Sequence, residues 1–407
     1  MQKMSLHRWR NSALKKSPSP PSSPNIMQSS SGSAESKQAR LGCADLLINR
    51  RGCVLLAVLT LILGGGANHQ ALSSGDGGFI RRLGNQLSGA HSPLGQRCLM
   101  EIGIRNGHAM TYDGARRKVL LFGGADDTQV CSDTWEWDGK CWNRLSSTGP
   151  GPRTFAALTY DSVRKRVVLF GGNRALFGKT EMDNELLGDT WEWDGQNWLE
   201  IKAPGPLPRA EAAMTFDRKR RRVLLFGGYN RRGSKLNRLG DTWEWDGVRW
   251  NEVKAPGPSP RSGAAMTWDD KRGKAVLFGG QGSSAETWEW YGRQWVENRL
   301  AVAEGRFNAV MAYEHARREV IRFGGYYKRQ RLDDTWKYDG RRWRRIEVAG
   351  PRARNHAALV YDEARQRSVL FGGHDGDFVF GDTWEWDGHQ WTQVSFIEAR
   401  RRVDNGH

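Results

Sequence analysis

Cysteine is scarce in this chain, with 5 among 407 residues. A small fold stapled by disulfides needs far denser cysteine, so that class is excluded. Acid is short relative to base: 45 Asp and Glu face 62 Lys and Arg, a formal net charge of +17. Long apolar runs are missing as well. The longest, residues 53–63, would cover only about 16 Å as a helix. The hydrocarbon core of a bilayer is roughly 30 Å thick, so a bundle of membrane-spanning helices is excluded. What is present is glycine (49), tryptophan (19) and an ordinary balance of 38% hydrophobic and 26% charged residues. That balance belongs to a globular body.

The excess charge is uneven. Residues 1–67 carry a net +7, and the remaining +10 is spread over residues 68–407. Residues 1–52 are rich in Ser, Pro, Lys and Arg and cannot bury enough surface to offset their ordering entropy, which predicts a disordered basic segment. Arg50 and Arg51 then precede the apolar segment 53–67, which ends in Gly64, Gly65, Gly66 and Ala67. A basic flank, a short apolar core and small residues predict a secretory signal sequence or an uncleaved anchor, with Met27 as an alternative start. The protein is therefore expected outside the cytoplasm: secreted, periplasmic or anchored. Residues 68–104, rich in Gly and Ser, read as a linker.

From Arg105 the chain repeats itself. Gly-Gly pairs begin at Gly123, Gly171, Gly227, Gly279, Gly324 and Gly372, a mean spacing of 49.8 residues. Each pair closes an apolar run. An arginine lies 18 positions before every pair: Arg105, Arg153, Arg209, Arg261, Arg306 and Arg354. A tryptophan follows each pair, and a second comes seven residues after the first. From that second tryptophan to the next arginine is 11 residues, without exception. Only the stretch from Gly-Gly to the first tryptophan varies, from 9 to 20 positions.

This arithmetic predicts four strands per unit. In the first unit strand A covers 109–112, strand B 119–122, strand C 134–137 and strand D 141–145. Asp138-Gly139 predicts a two-residue C–D turn centred on that pair, since both residue types tolerate positive φ. Strand A carries small residues such as Ala156, Ala157, Ala212 and Ala213, which suit the crowded innermost strand of a radial array.

Four strands in about 50 residues is the period of a kelch propeller. Residues 105–395 resemble the kelch-repeat family, on the apolar run with Gly-Gly, the paired tryptophans and the arginine-led inner strand. The Asp-Thr-Trp-Glu-Trp-Asp-Gly variant is similar to that of exported bacterial kelch proteins. The resemblance implies an all-β, six-bladed kelch-type β-propeller with four antiparallel strands per blade, followed by a tail over 396–407. The phase of the repeat makes each blade continuous in sequence, so closure of the ring is expected to depend on blade-to-blade packing.

Whatever recurs in all six units is most simply scaffold. Seventeen of the tryptophans fall at three repeat positions and predict inter-blade core. The acid before each Thr-Trp pair (Asp133, Asp189, Asp241, Glu286, Asp334, Asp382) is expected to pair with the six arginines. Those arginines should still ring the mouth of the channel, where a set of guanidinium groups could hold a planar anion. Two positions beyond them the repeat breaks, with Gly107, Phe155, Glu211, Gly263, Asn308 and His356. Glu211 and His356 are therefore candidate ligand residues beside the arginines. The variable B–C loops supply others: Arg231 and Arg232 in the third unit, Tyr326 and Tyr327 in the fifth. Basic and aromatic residues together suit a protein or an acidic glycan. Metal-ligand and nucleophile spacings are absent, so no metal or cofactor is expected, nor any nucleic-acid partner. The function expected is non-enzymatic binding. The alternative is a carbohydrate-active enzyme on the same scaffold, of oxidase or sialidase type. Among the cysteines, Cys141 should lie opposite Glu136, too far from Cys131 to bond it. Any bridge would then use Cys98.

Overall fold

The computed structural model describes residues 101–146, 148–175, 185–232, 235–282, 285–397 and 399–401. The basic segment 1–52, the apolar segment 53–67 and most of the 68–104 linker lie outside the described residues. Among the described residues there is no helix, and six four-stranded antiparallel sheets form the blades of a propeller. In blade 1 the strands A to D are Ala109–Asp113, Lys118–Phe122, Thr134–Trp137 and Trp142–Ser146. The same order recurs through blade 6, where A is Ala358–Asp362 and D is Trp391–Ser395.

The apolar run of strand B explains why blades stack. Val119, Leu120, Leu121 and Phe122 are all buried, although successive side chains point to opposite faces of a sheet. Val119 and Leu121 pack with Val360, Val369 and Phe371 of blade 6. Leu120 and Phe122 pack with Val167, Leu169 and Trp193 of blade 2. Each blade thus has two apolar faces and needs a neighbour on both sides, which a closed ring alone provides.

Two hydrogen bonds repeat at every joint. The second glycine of each Gly-Gly pair donates its N–H to the backbone carbonyl of the next blade's arginine, as Gly124 does to Arg153 at 2.9 Å. The first glycine lies at φ 65, and a Cβ there would come within 2.6 Å of that carbonyl. Only glycine meets both conditions. The second bond runs backwards, from the tryptophan that opens strand D to the threonine that opens strand C of the preceding blade, as in Trp198 to Thr134 at 2.9 Å. Blade 6 meets blade 1 by the same pair: Gly373 donates to Arg105 at 2.7 Å and Trp142 to Thr383 at 3.0 Å.

One detail of the repeat differs from expectation. The C–D turn is centred one residue later than Asp138-Gly139, because Asp138, the first residue after strand C, donates its backbone N–H to the Cys141 carbonyl. Its carboxylate accepts the N–H groups of Lys140 and Cys141, both at 2.8 Å. The aspartate caps the turn with its side chain and only Gly139 adopts positive φ. Strand D accordingly begins at Trp142, which pairs with Trp137. Cys141 therefore faces Asp138 rather than Glu136. Cys131 is a free thiol and Cys141 is disulfide-bonded. Cys98 lies outside the described residues.

The variable B–C segments carry strands of their own. In blade 2 strands B and C simply lengthen, to Arg166–Asn173 and Leu186–Trp193. In blade 3 Tyr229–Arg232 pairs with Lys235–Arg238, and in blade 5 Tyr326–Tyr327 pairs with Gln330–Arg331. In blade 6 Phe378–Val379 pairs with Arg400–Arg401, so part of the segment read as a tail is tied to the last B–C loop.

Candidate functional site

The six repeated arginines are buried, none more than 5% exposed. Arg209 shows the arrangement. Its guanidinium makes paired hydrogen bonds to Asp241 at 2.7 and 2.8 Å and a third to the Gly227 carbonyl at 3.0 Å. Asp241 also accepts the indole N–H of Trp243 at 2.7 Å. Arginine, carboxylate, glycine carbonyl and tryptophan recur in all six blades, with Glu286 as the acid in blade 4. Burial pushes the Asp241 carboxyl up, but the bonds and charge of Arg209 outweigh it and hold the carboxyl below its ordinary value. Arg105, Arg153, Arg209, Arg261, Arg306 and Arg354 thus fasten the start of strand A to the start of strand C.

Two residues further on, the chain reaches the axis. Gly107, Phe155, Glu211, Gly263, Asn308 and His356 all adopt left-handed backbone, with φ between 53 and 63. They bond one to the next around the axis: Phe155 N–H to Gly107 at 2.7 Å, Glu211 to Phe155 at 3.1 Å, and so on through Asn308, with Gly107 donating to His356. Glycine fills this position in two blades. In the other four a side chain is kept at a conformational cost of about 1 kcal/mol or more.

Those four side chains converge. The Asn308 amide donates to Nε2 of His356 at 2.6 Å, which leaves the His356 proton on Nδ1, facing His374 Nε2 at 2.9 Å. Glu211 lies 3.7 Å from His356, and the Phe155 ring centroid is 4.8 Å from the His356 ring. They line a cavity of about 140 Å³ at the mouth of the channel. The structure therefore brings Glu211 and His356 together and adds Asn308 and His374. The sequence marks His374 only as a histidine without metal-ligand spacing, yet a further signal exists. It follows the last Gly-Gly pair, where the other blades carry Ala125, Asn173, Tyr229, Gln281 and Tyr326. This position also breaks the repeat, and each of its residues bridges to the residue after the arginine. Tyr229 belongs to the same set, and burial followed by the charge of Glu211 pushes its hydroxyl up to about 12.

The loop candidates project from separate blades. Arg231 and Arg232 lie on the blade 3 hairpin, paired in register with Leu236 and Lys235. Tyr326 and Tyr327 open the blade 5 hairpin. Arg331 lies 5.1 Å over the Tyr326 ring, and Lys328 lies 5.2 Å over that of Tyr327. Among the described residues no group of three or more His, Cys, Asp or Glu is placed to hold a metal ion.

No family model matches the chain. It is 33% identical over 125 residues to an F-box/kelch-repeat protein of Arabidopsis thaliana, covering 26% of this chain and 25% of that protein. It is 34% identical over 114 residues to the dynein alpha chain of the flagellar outer arm of Chlamydomonas reinhardtii, covering 27% of this chain and 2% of that one. The chain thus spans a quarter or less of the length of these relatives. Six copies of the Gly-Gly and tryptophan repeat, the six blades they build and this partial likeness support a kelch-type propeller.

Proposed function

We propose that this chain is a non-enzymatic binding propeller, exported or anchored by residues 53–67, whose B–C loop face holds a protein or an acidic glycan. The observation that carries the reading is the axial belt. Four bulky or polar residues occupy a backbone conformation that glycine fills more cheaply in two other blades. Strain of this kind persists where side chains are needed. The hairpins of blades 3 and 5 rise on the same face and offer Arg231, Lys235, Tyr327 and Lys328 to an acidic surface. The repeated arginines hold this face in shape, and the residues that break the repeat discriminate among ligands.

The test is an array of acidic peptides and of sialylated and uronic-acid glycans, probed with residues 68–407. Retained ligands should be lost when the loop 231–237 is shortened and when Glu211 and His356 are replaced together by alanine. Normal binding by both variants would move the site elsewhere. Mass spectrometry of the mature protein tests export. An N-terminus near Ala67 or Ala71, or a membrane-retained full chain, is expected, and a soluble cytoplasmic protein beginning at Met1 would contradict it.

A further inference from the structure

A larger cavity, of about 530 Å³, lies on the same axis but among the A–B turns. Its volume suits a small organic molecule. The innermost strands form its wall and contribute the thioethers of Met110, Met214, Met266 and Met311 and the hydroxyls of Thr111 and Thr159.

The repeat breaks again at this opening. Each strand A ends in a buried carboxylate, and in five blades it caps its turn, as Asp217 does for the Arg220 N–H, whereas Glu314 in blade 5 bonds Arg317 and Ser368. The next residue is Gly114, Ser162, Arg218, Asp270, His315 or Glu363. Arg218 of blade 3 bonds Glu363 of blade 6 at 2.7 Å. Those blades stand opposite each other in a ring of six, so this ion pair crosses the axis. Asp270 lies 3.7 Å from Arg218, and His315 lies 3.6 and 3.1 Å from Asp270 and Glu363. All four side chains are 28–39% exposed, which makes them a surface latch rather than core.

Charge around the latch is one-sided. Arg117, Lys165, Lys219, Arg221, Lys271 and Arg318 are exposed on the A–B turns. The acids of the C–D turns sit further from the axis, and carboxylates such as Asp138 and Asp194 already cap their own turns. The two acids at the opening are engaged by Arg218 and His315. The field at the opening therefore draws anions inward.

We propose that this cavity binds a small organic carboxylate with an apolar body. The ligand's carboxylate takes the Arg218 guanidinium from Glu363, and its body lies among the methionines. The planar guanidinium fits a carboxylate in two-pronged fashion. Glu363 keeps its contact with His315, so the exchange strands no carboxylate. This site is independent of the loop face, at the far end of the axis.

Calorimetry on the full chain with 3-phenylpropionate, 3-phenylpropan-1-ol and 3-phenylpropylamine tests it. The carboxylate should bind one per chain, roughly tenfold or more tighter than the alcohol or the amine. Arg218→Met should weaken it by about the same factor. Glu363→Gln should strengthen it, because the competing charge is gone, and this variant decides the matter if Arg218→Met fails to fold. Glu211→Ala, at the other mouth, should change nothing. Absence of 3-phenylpropionate binding, equal binding of the amine or alcohol, or no gain in Glu363→Gln would overturn the proposal.

Discussion

Trp142 donates its indole N–H to the hydroxyl of Thr383 at 3.0 Å, and through that bond the first blade holds the last. Trp250 makes the same bond to Thr190 at 2.9 Å inside the ring. The joint between the ends is built like the joint between neighbours. Thr383→Val and Thr190→Val should each lower stability by about 1–3 kcal/mol, the cost of an unsatisfied buried donor. Urea unfolding should give losses that agree within about 0.5 kcal/mol. A much larger loss for Thr383→Val would mean that closure is the weak point of the ring.

Arg322 stands where the other blades place Leu121, Leu169, Leu225, Leu277 and Leu370. It is fully buried, 4.1 Å over Phe278 and 4.6 Å over Trp343, and its side-chain nitrogens find no hydrogen-bond acceptor among the described residues. Burial first, and then the charge of Arg306, drive its pKa well down. Contact with the aromatic faces recovers part of the desolvation cost. Arg322→Leu should stabilise the protein by about 1–4 kcal/mol, as replacement of buried charge by apolar side chains does elsewhere. A lower Tm for this variant would show that the guanidinium is needed.

His108 occupies the position of Ala156, Ala212, Ala264, Ala309 and Ala357. Burial, helped by the charge of Arg105, lowers its pKa to about 3. The unfolded chain then binds the proton more readily than the folded one, so stability is full above the ordinary histidine pKa of roughly 6.5 and falls below it. The expected slope is about 1.4 kcal/mol per pH unit from one such group. Unfolding measured between about pH 6.5 and 4.5, above the range of the depressed carboxylates, should be less pH-dependent in His108→Ala. Identical slopes would show that His108 does not carry the effect.

The sixfold part of this fold was legible because each unit solves the same packing problem with the same residues. A two-sided apolar strand, a glycine pair against a neighbouring carbonyl and a tryptophan in the joint leave a period that spacing alone reveals. Bonds between blades were less legible, because Thr383 and Trp142 are 241 positions apart and meet only when the ring closes. The C–D turn was misplaced by one residue because Asp138 acts through its carboxylate, which backbone preferences do not register. At the axis, the break in repetition marked Glu211 and His356. His374 was missed because it comes from a different segment of the repeat, brought beside His356 by bridging across the start of the blade.

Residues that recur in all six blades hold the fold, whereas under the function proposed above those that break the repeat in the axial belt serve binding. Arg209 and Glu211 are two positions apart and fall on opposite sides of that division. Urea unfolding of Arg209→Ala and Glu211→Gly separates the two roles. Arg209→Ala should cost about 3–5 kcal/mol, because Asp241 and the Gly227 carbonyl lose their partner. Glu211→Gly removes a side chain from backbone at φ 54 and should stay within about 1 kcal/mol of the parent, on the stabilising side. Equal and large losses for both variants would erase this division between scaffold and site.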